Sequence, residues 1–229
     1  MFRGKVTDIF FDLDHTLWDF ERNSALTFNK ILKDNGLNVD LDDFLEIYVP
    51  INFEYWKLYR EDKVSKSELR YQRLKRTFDQ IGQTVSDDMI NLLAHEYIEY
   101  LPSFNHLVPN AVEILEYLSP KYKLHIITNG FQEIQEKKLK GGNIHHYFHH
   151  IINSEAAGVK KTHPYIFQLA LDRAKATPQN SLMIGDNLEA DIGGAKAVGM
   201  EVLHFNCDGG SNHSECPMIN DLIEIKSIL

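Results

Sequence analysis

Apolar residues follow two rhythms along this chain. Short apolar runs at residues 6–11, 124–128, 150–153, 182–185 and 201–205 read as strands, and between the later runs apolar positions recur at helical spacing. Strands alternating with helices predict an α/β fold, with a parallel sheet joined by crossover helices. The spacing of the strands is uneven. More than 100 residues separate the first run from the second, far more than one crossover helix requires.

That gap reads as helix throughout. Residues 23–35 carry a helical pattern that stops at Gly36, and residues 41–61 place apolar and aromatic side chains at helical spacing, with an interruption expected at Pro50. Ser65 followed by Glu68 is a capping-box signature ahead of Leu69, Leu74 and Phe78. Ser86 is a candidate N-cap ahead of Met89, Leu92, Leu93 and Tyr97. Residues 19–104 are therefore expected to form an inserted helical bundle, with residues 1–18 and 105–229 making the α/β core. A helix over residues 111–118 returns the chain to the sheet.

Composition narrows the classes of function. A chain of 229 residues, 43% hydrophobic, can bury a substantial core. A formal charge of −9 argues against a surface that binds nucleic acid polymers, which needs a basic stripe to displace counterions. Two cysteines, Cys207 and Cys216, without CxxC spacing suit a reducing compartment. Neither a secretory signal nor an apolar stretch long enough for a membrane span is visible, so the expected setting is cytoplasmic, away from membranes.

The candidate chemistry starts at the end of the first strand, in V-T-D-I-F-F-D-L-D-H-T-L over residues 6–17. In an extended segment, side chains at i and i+2 point the same way, so Asp12 and Asp14 are expected to converge just past the strand. Two adjacent buried acids are costly unless a cation or a shared proton compensates. Each of the next three strands also ends in a polar signature. Thr128-Asn129-Gly130 follows the second; G-V-K-K-T-H-P-Y-I-F, residues 158–167, follows the third; G-D-N-L-E-A-D, with Asp186 and Asp191, follows the fourth. Ligands in open parallel sheets bind at the carboxyl ends of strands, where these four segments can meet.

In that order, the four segments resemble the haloacid dehalogenase (HAD) superfamily, whose pattern is D-x-D-x-T, then Thr or Ser, then Lys, then G-D-x-x-x-x-D. The resemblance implies a Rossmann-like parallel core with a helical cap. It further implies Asp12 as the nucleophile, forming an aspartyl-phosphate, and Asp14 as the general acid and then base. Mg2+ would be held by Asp12, the Asp14 carbonyl and Asp186. Thr128 and Asn129 would bind phosphate, and Lys161 would neutralise charge between phosphate and nucleophile. Thr16 and Asp191 are supporting residues, Asp191 orienting the lysine or a metal-bound water. The superfamily usually reads Lys-Pro where this chain has Lys160-Lys161-Thr162; register favours Lys161 over Lys160.

Asp14 points toward phosphoryl transfer, because dehalogenases of this superfamily expel halide, need no proton and typically lack the second aspartate. Thr16 to Ser24, T-L-W-D-F-E-R-N-S, resembles the opening of the noncanonical pyrimidine 5'-nucleotidases. The expected partner is a small phosphorylated metabolite, a nucleoside monophosphate first and a sugar phosphate second. An idle binding module on the same fold predicts a disrupted motif residue, and none is present. The aromatics Phe44, Tyr48, Phe53, Tyr55, Trp56 and Tyr59 read as bundle core rather than base-stacking residues. The run from His145 to His150 reads as a solvated corner, and Cys207, His213 and Cys216 as a plain loop without a fourth zinc ligand.

Overall fold

In the computed structural model, residues 2, 4–207, 209–210 and 213–229 are described. The chain divides into two compact units: Met1–Phe20 with Asn105–Leu229, and Glu21–Phe104.

The first unit is built on a six-stranded sheet in the order β3-β2-β1-β4-β5-β6. Its strands are β1 (Asp8–Phe11), β2 (Lys123–Thr128), β3 (Phe148–Asn153), β4 (Ser181–Gly185), β5 (Glu201–Phe205) and β6 (Met218–Ile219), and all neighbours are parallel. Every residue of β1 and β4 is buried, as expected of strands covered on both faces. On one face Phe10, Ile127, Ile152, Met183 and Val202 pack with Ile166, Phe167, Ala170 and Leu171 of a helix, α8 (Pro164–Ala174). β6 is two residues long and carries no alternation, so sequence pattern did not mark it. β3 begins two residues earlier than its apolar pattern suggests, at Phe148, which pairs with Leu124 ahead of an irregularity in the ladder.

Because the chain runs outward from β1 to either side of the sheet, the topological switch point lies at β1. Phe11 pairs with Ile126 on one side and Ile184 on the other, so the three central strands end almost level. The chain leaves the sheet and returns to it through a small strap. Val108 N–H donates to the Leu17 carbonyl (3.0 Å), and Asp19 N–H donates to the His106 carbonyl (3.0 Å), with Trp18 bridged antiparallel to Leu107.

The second unit contains most of α1 (Phe20–Asp34), then α2 (Leu41–Arg60), α3 (Lys66–Gln80) and α4 (Asp87–Tyr100). Ser65 and Glu68 form the reciprocal capping box at the start of α3, and Ser86 caps α4 through the Met89 N–H. α2 continues through Pro50 rather than breaking there. Pro50 is exposed, so the carbonyl freed by its missing N–H can be hydrated, while buried Tyr48, Ile51, Asn52 and Tyr55 anchor the helix on both sides. Phe28, Phe44, Tyr48 and Tyr97 pack in stacked, tilted and edge-on pairs with ring centroids 4.5–6.5 Å apart, forming an aromatic core. Tyr55 and Tyr59 are also buried, whereas Phe53 is half exposed.

Candidate active site

Asp12 is the first residue beyond β1, and its N–H donates to the Ile184 carbonyl of β4 (2.9 Å). This bond continues the sheet one step and fixes the Asp12 side chain at the switch point. Asp186 follows directly after β4. Asp191 lies in a π-helical turn, Leu188–Gly193, whose start is capped by the Asn187 side chain accepting from the Ala190 N–H (2.8 Å). Gly185 is required at the strand end, because a Cβ there would come within 2.4 Å of the Asp191 carboxylate.

Lys161 joins these acids. Its Nζ donates to Asp12 Oδ1 (2.6 Å) and to Asp191 Oδ1 (2.7 Å), and the side chain is almost fully buried. Lys160 is only half-buried, and the structure places Lys161 in the acid cluster. The position of Lys161 is set by Asn129 at the end of β2. The Asn129 side chain donates Nδ2–H to the Lys161 carbonyl (3.0 Å) and accepts from the Lys161 N–H at Oδ1 (2.7 Å). This paired grip on another loop's backbone has no local sequence signal, since it joins residues 32 positions apart.

Asp12, Asp186 and Asp191 each place one carboxylate oxygen within 4.8 Å of the others. Burial pushes Asp12 well above the usual carboxylate range; Lys161 opposes the shift, and Asp191 and Asp186 reinforce it. Burial and the Asp191 charge push Asp186 up to about 7. Burial works against the Lys161 charge, but Asp12 and Asp191 outweigh it and raise its pKa. A pocket of oxygen donors that resist ionising together fits a hard divalent cation such as magnesium. Thr16 donates its hydroxyl to Asp186 Oδ1 (3.2 Å). The Asp191 carboxylate is otherwise engaged, taking Lys161 on one oxygen and the Asn187 N–H on the other (3.0 Å).

The two acids of the D-x-D segment take different partners. The regular strand ends at Phe11, ahead of both acids. The Asp14 carboxylate is held by a helix, α6 (Gln132–Gly141): Lys138 Nζ donates to Oδ1 (2.5 Å) and Gln135 Nε2 to Oδ2 (3.2 Å). Thr128 is buried, with its Oγ1 accepting from the Gly130 N–H (3.0 Å). Sequence reading passed over Gln135 and Lys138. Their signal was two polar residues three apart beside Ile134 and Leu139, on the buried side of a helix.

His204 on β5 was also missed. Its Nε2 bonds the Asp186 carbonyl (2.8 Å); a carbonyl only accepts, so the imidazole proton sits on Nε2. His213 Nε2 then donates to His204 Nδ1 (2.9 Å) from within the loop expected for it. The run from His145 to His150 forms a short 3-10 turn and the start of β3, so the helical i,i+4 pairs of histidines do not arise. Cys216 is a free thiol. No helix among the described residues is long and apolar enough to cross a membrane.

Comparison with known proteins matches residues 9–199 to the haloacid dehalogenase-like hydrolases. The chain is 30% identical over 223 residues to pyrimidine 5'-nucleotidase PynA of Streptococcus pneumoniae, covering 96% of this chain and 92% of that one. It is 31% identical over 234 residues to a glyceraldehyde 3-phosphate phosphatase of Methanothermobacter thermautotrophicus, covering 96% and 98%. Among solved structures, the putative HAD-hydrolase YfnB of Bacillus subtilis, bound to magnesium, superposes with a TM-score of 0.89 at 27% identity, covering 99% of both chains.

Proposed function

Because the chain belongs to the haloacid dehalogenase-like hydrolase family, we propose that it is a magnesium-dependent phosphomonoester hydrolase of pyrimidine nucleoside 5'-monophosphates, acting through an aspartyl-phosphate. The observation that carries this reading is Lys161, buried between Asp12 and Asp191 at the sheet's switch point.

Lys161 engages Asp12 Oδ1, which leaves Oδ2 as the attacking oxygen. Oδ2 forms a bond to phosphorus as the bond from phosphorus to the ester oxygen breaks, and Asp14 gives that oxygen a proton so that it departs as an alcohol. In the second step the Asp14 carboxylate takes a proton from water, whose oxygen attacks phosphorus and releases Asp12. The sum is ester plus water giving alcohol plus phosphate, with both aspartates restored. Lys161 offsets charge between nucleophile and phosphate throughout, and Asn129 keeps it from withdrawing. Thr128 and the backbone N–H groups of the turn after β2 are suited to receive phosphate oxygens. Magnesium, held by Asp12, Asp186 and the Asp14 carbonyl, would compensate the acids and the phosphate dianion together. The insert over residues 19–104 acts as the cap that selects the leaving group.

The name of PynA and the T-L-W-D-F-E-R-N-S opening support the nucleotidase assignment. A second reading, a sugar-phosphate phosphatase of the same mechanism, is supported by the relative from Methanothermobacter. Phosphate release from a panel of phosphorylated metabolites, with magnesium or with EDTA, separates the two. Release from uridine or thymidine monophosphate only with magnesium is expected. Release from sugar phosphates alone would reject the nucleotidase, and activity undiminished in EDTA would reject the metal.

A further inference from the structure

Lys138 is a buried cation that the proposed chemistry does not use. It lies on α6 with 1% of its surface exposed, its Nζ 2.5 Å from Asp14 Oδ1 and 4.1 Å from the centre of the Trp18 ring. The centre of the Phe20 ring is 5.3 Å away. One turn earlier on the same helix face, buried Gln135 donates to the other oxygen of Asp14. Gly130 makes this possible. A Cβ on Gly130 would lie 1.5 Å from the Gln135 amide nitrogen, so the T-N-G glycine clears the path by which Gln135 reaches the carboxylate.

Fixing a buried ion pair in this way is a poor source of stability, since apolar packing of similar volume often does as well. It is a good source of orientation. Each Asp14 oxygen has its own donor, both donors come from one rigid helix, and the ammonium sits over an aromatic floor. The carboxylate is thereby fixed in both place and rotation.

We propose that Lys138 and Gln135 are positioning residues for Asp14, setting the point at which its carboxylate delivers and collects the proton. This rests on the phosphatase reading above, and it ties turnover to a helix that carries none of the superfamily motif residues. A proton donor displaced by an ångström loses on the order of 10²-fold in rate, and only where a proton is needed.

Leaving-group chemistry tests this. Lys138→Met and Lys138→Arg are compared with wild type on an alkyl ester that wild type turns over, uridine 5'-monophosphate first, and on p-nitrophenyl phosphate, whose phenolate departs without a proton. Lys138→Met is expected to lower kcat on the alkyl ester by about 10²-fold with KM little changed. On p-nitrophenyl phosphate it should still give a stoichiometric burst of phenolate, followed by slow turnover while the aspartyl-phosphate waits for water. Lys138→Arg, which retains a donor, should recover part of the alkyl-ester rate. Equal losses on both substrates without a burst, or alkyl-ester turnover within about twofold of wild type, would overturn the proposal. Should Lys138→Met fail to fold by circular dichroism, Gln135→Leu removes the second donor alone and is expected to give the same split at about tenfold. A wild type that releases phosphate from no ester would instead bring down the phosphatase reading, and this inference with it.

Discussion

Asp8 and Asp12 stand at opposite ends of the same strand, both buried, and their surroundings differ in kind. At the amino end, Asp8 accepts the Thr7 hydroxyl (2.7 Å) and bonds His125 Nε2 (3.1 Å), and His125 lies against the Phe10 ring. Burial pushes His125 down to about 4 against the pull of Asp8, so the ring is neutral at pH 7. At the carboxyl end, Asp12 faces Asp186 and Asp191 with Lys161 between them. One acid is matched by a hydroxyl and a neutral ring; the other is crowded by like charge. Burial of an acid is therefore not by itself a mark of chemistry. The mark is incomplete compensation at the end of a parallel strand, where the backbone leaves room for a ligand.

The sharpest way to break this contrast is to neutralise each acid. Asp12→Asn removes the proposed nucleophile and is expected to lower kcat by at least about 10³-fold while the protein stays folded. Steady-state phosphate release beside a thermal melt checks it, and near-wild-type turnover would remove Asp12 from the mechanism.

The next effect concerns the other end of the strand and is read in stability. His125 has a folded value of about 4 against about 6.5 unfolded, so between those values the unfolded chain binds a proton that the folded chain does not. The stabilisation is complete above about 6.5 and fades as pH falls through 4, a loss of roughly 3 kcal/mol. Urea unfolding from pH 7 to pH 4 should show the decline. His125→Gln, which keeps a donor toward Asp8, should flatten it; an unchanged slope would assign acid sensitivity to other groups.

Asp8→Asn should produce the smallest change, a loss of about 1–2 kcal/mol by urea unfolding with kcat within about threefold of wild type. A large loss of turnover in this variant would mean that the two ends of the strand are coupled, contrary to the distinction drawn between them.

How much of this could be read from sequence depended on how far each feature reaches along the chain. The strand over 201–205, the helix over 111–118 and the cap formed by Ser65 and Glu68 are fixed within a few residues, and their signals are correspondingly clear. The ends of β1, β2 and β4 were legible because a polar turn follows each apolar run. Asn129 gripping the Lys161 backbone, Gln135 and Lys138 gripping Asp14, and His204 bonding the Asp186 carbonyl depend on packing between distant segments. Periodicity could place those side chains on a buried face but not name their partners. That Asp12 and Asp14 take different partners escaped for the same reason, since each partner lies in a distant segment.

The strap formed by Leu17 and Asp19 with His106 and Val108 ties together, through hydrogen bonds, the two chain segments that flank an 84-residue excursion, Glu21–Phe104. Ring closure grows only logarithmically with contour length, and doubling such an excursion costs only about 0.6 kcal/mol. What hangs from the strap can thus be lengthened, shortened or exchanged at little thermodynamic cost to the sheet. Chimaeras grafted between Asp19 and His106 should inherit a ready-made catalytic base plate, leaving substrate choice free to change by wholesale replacement rather than residue by residue.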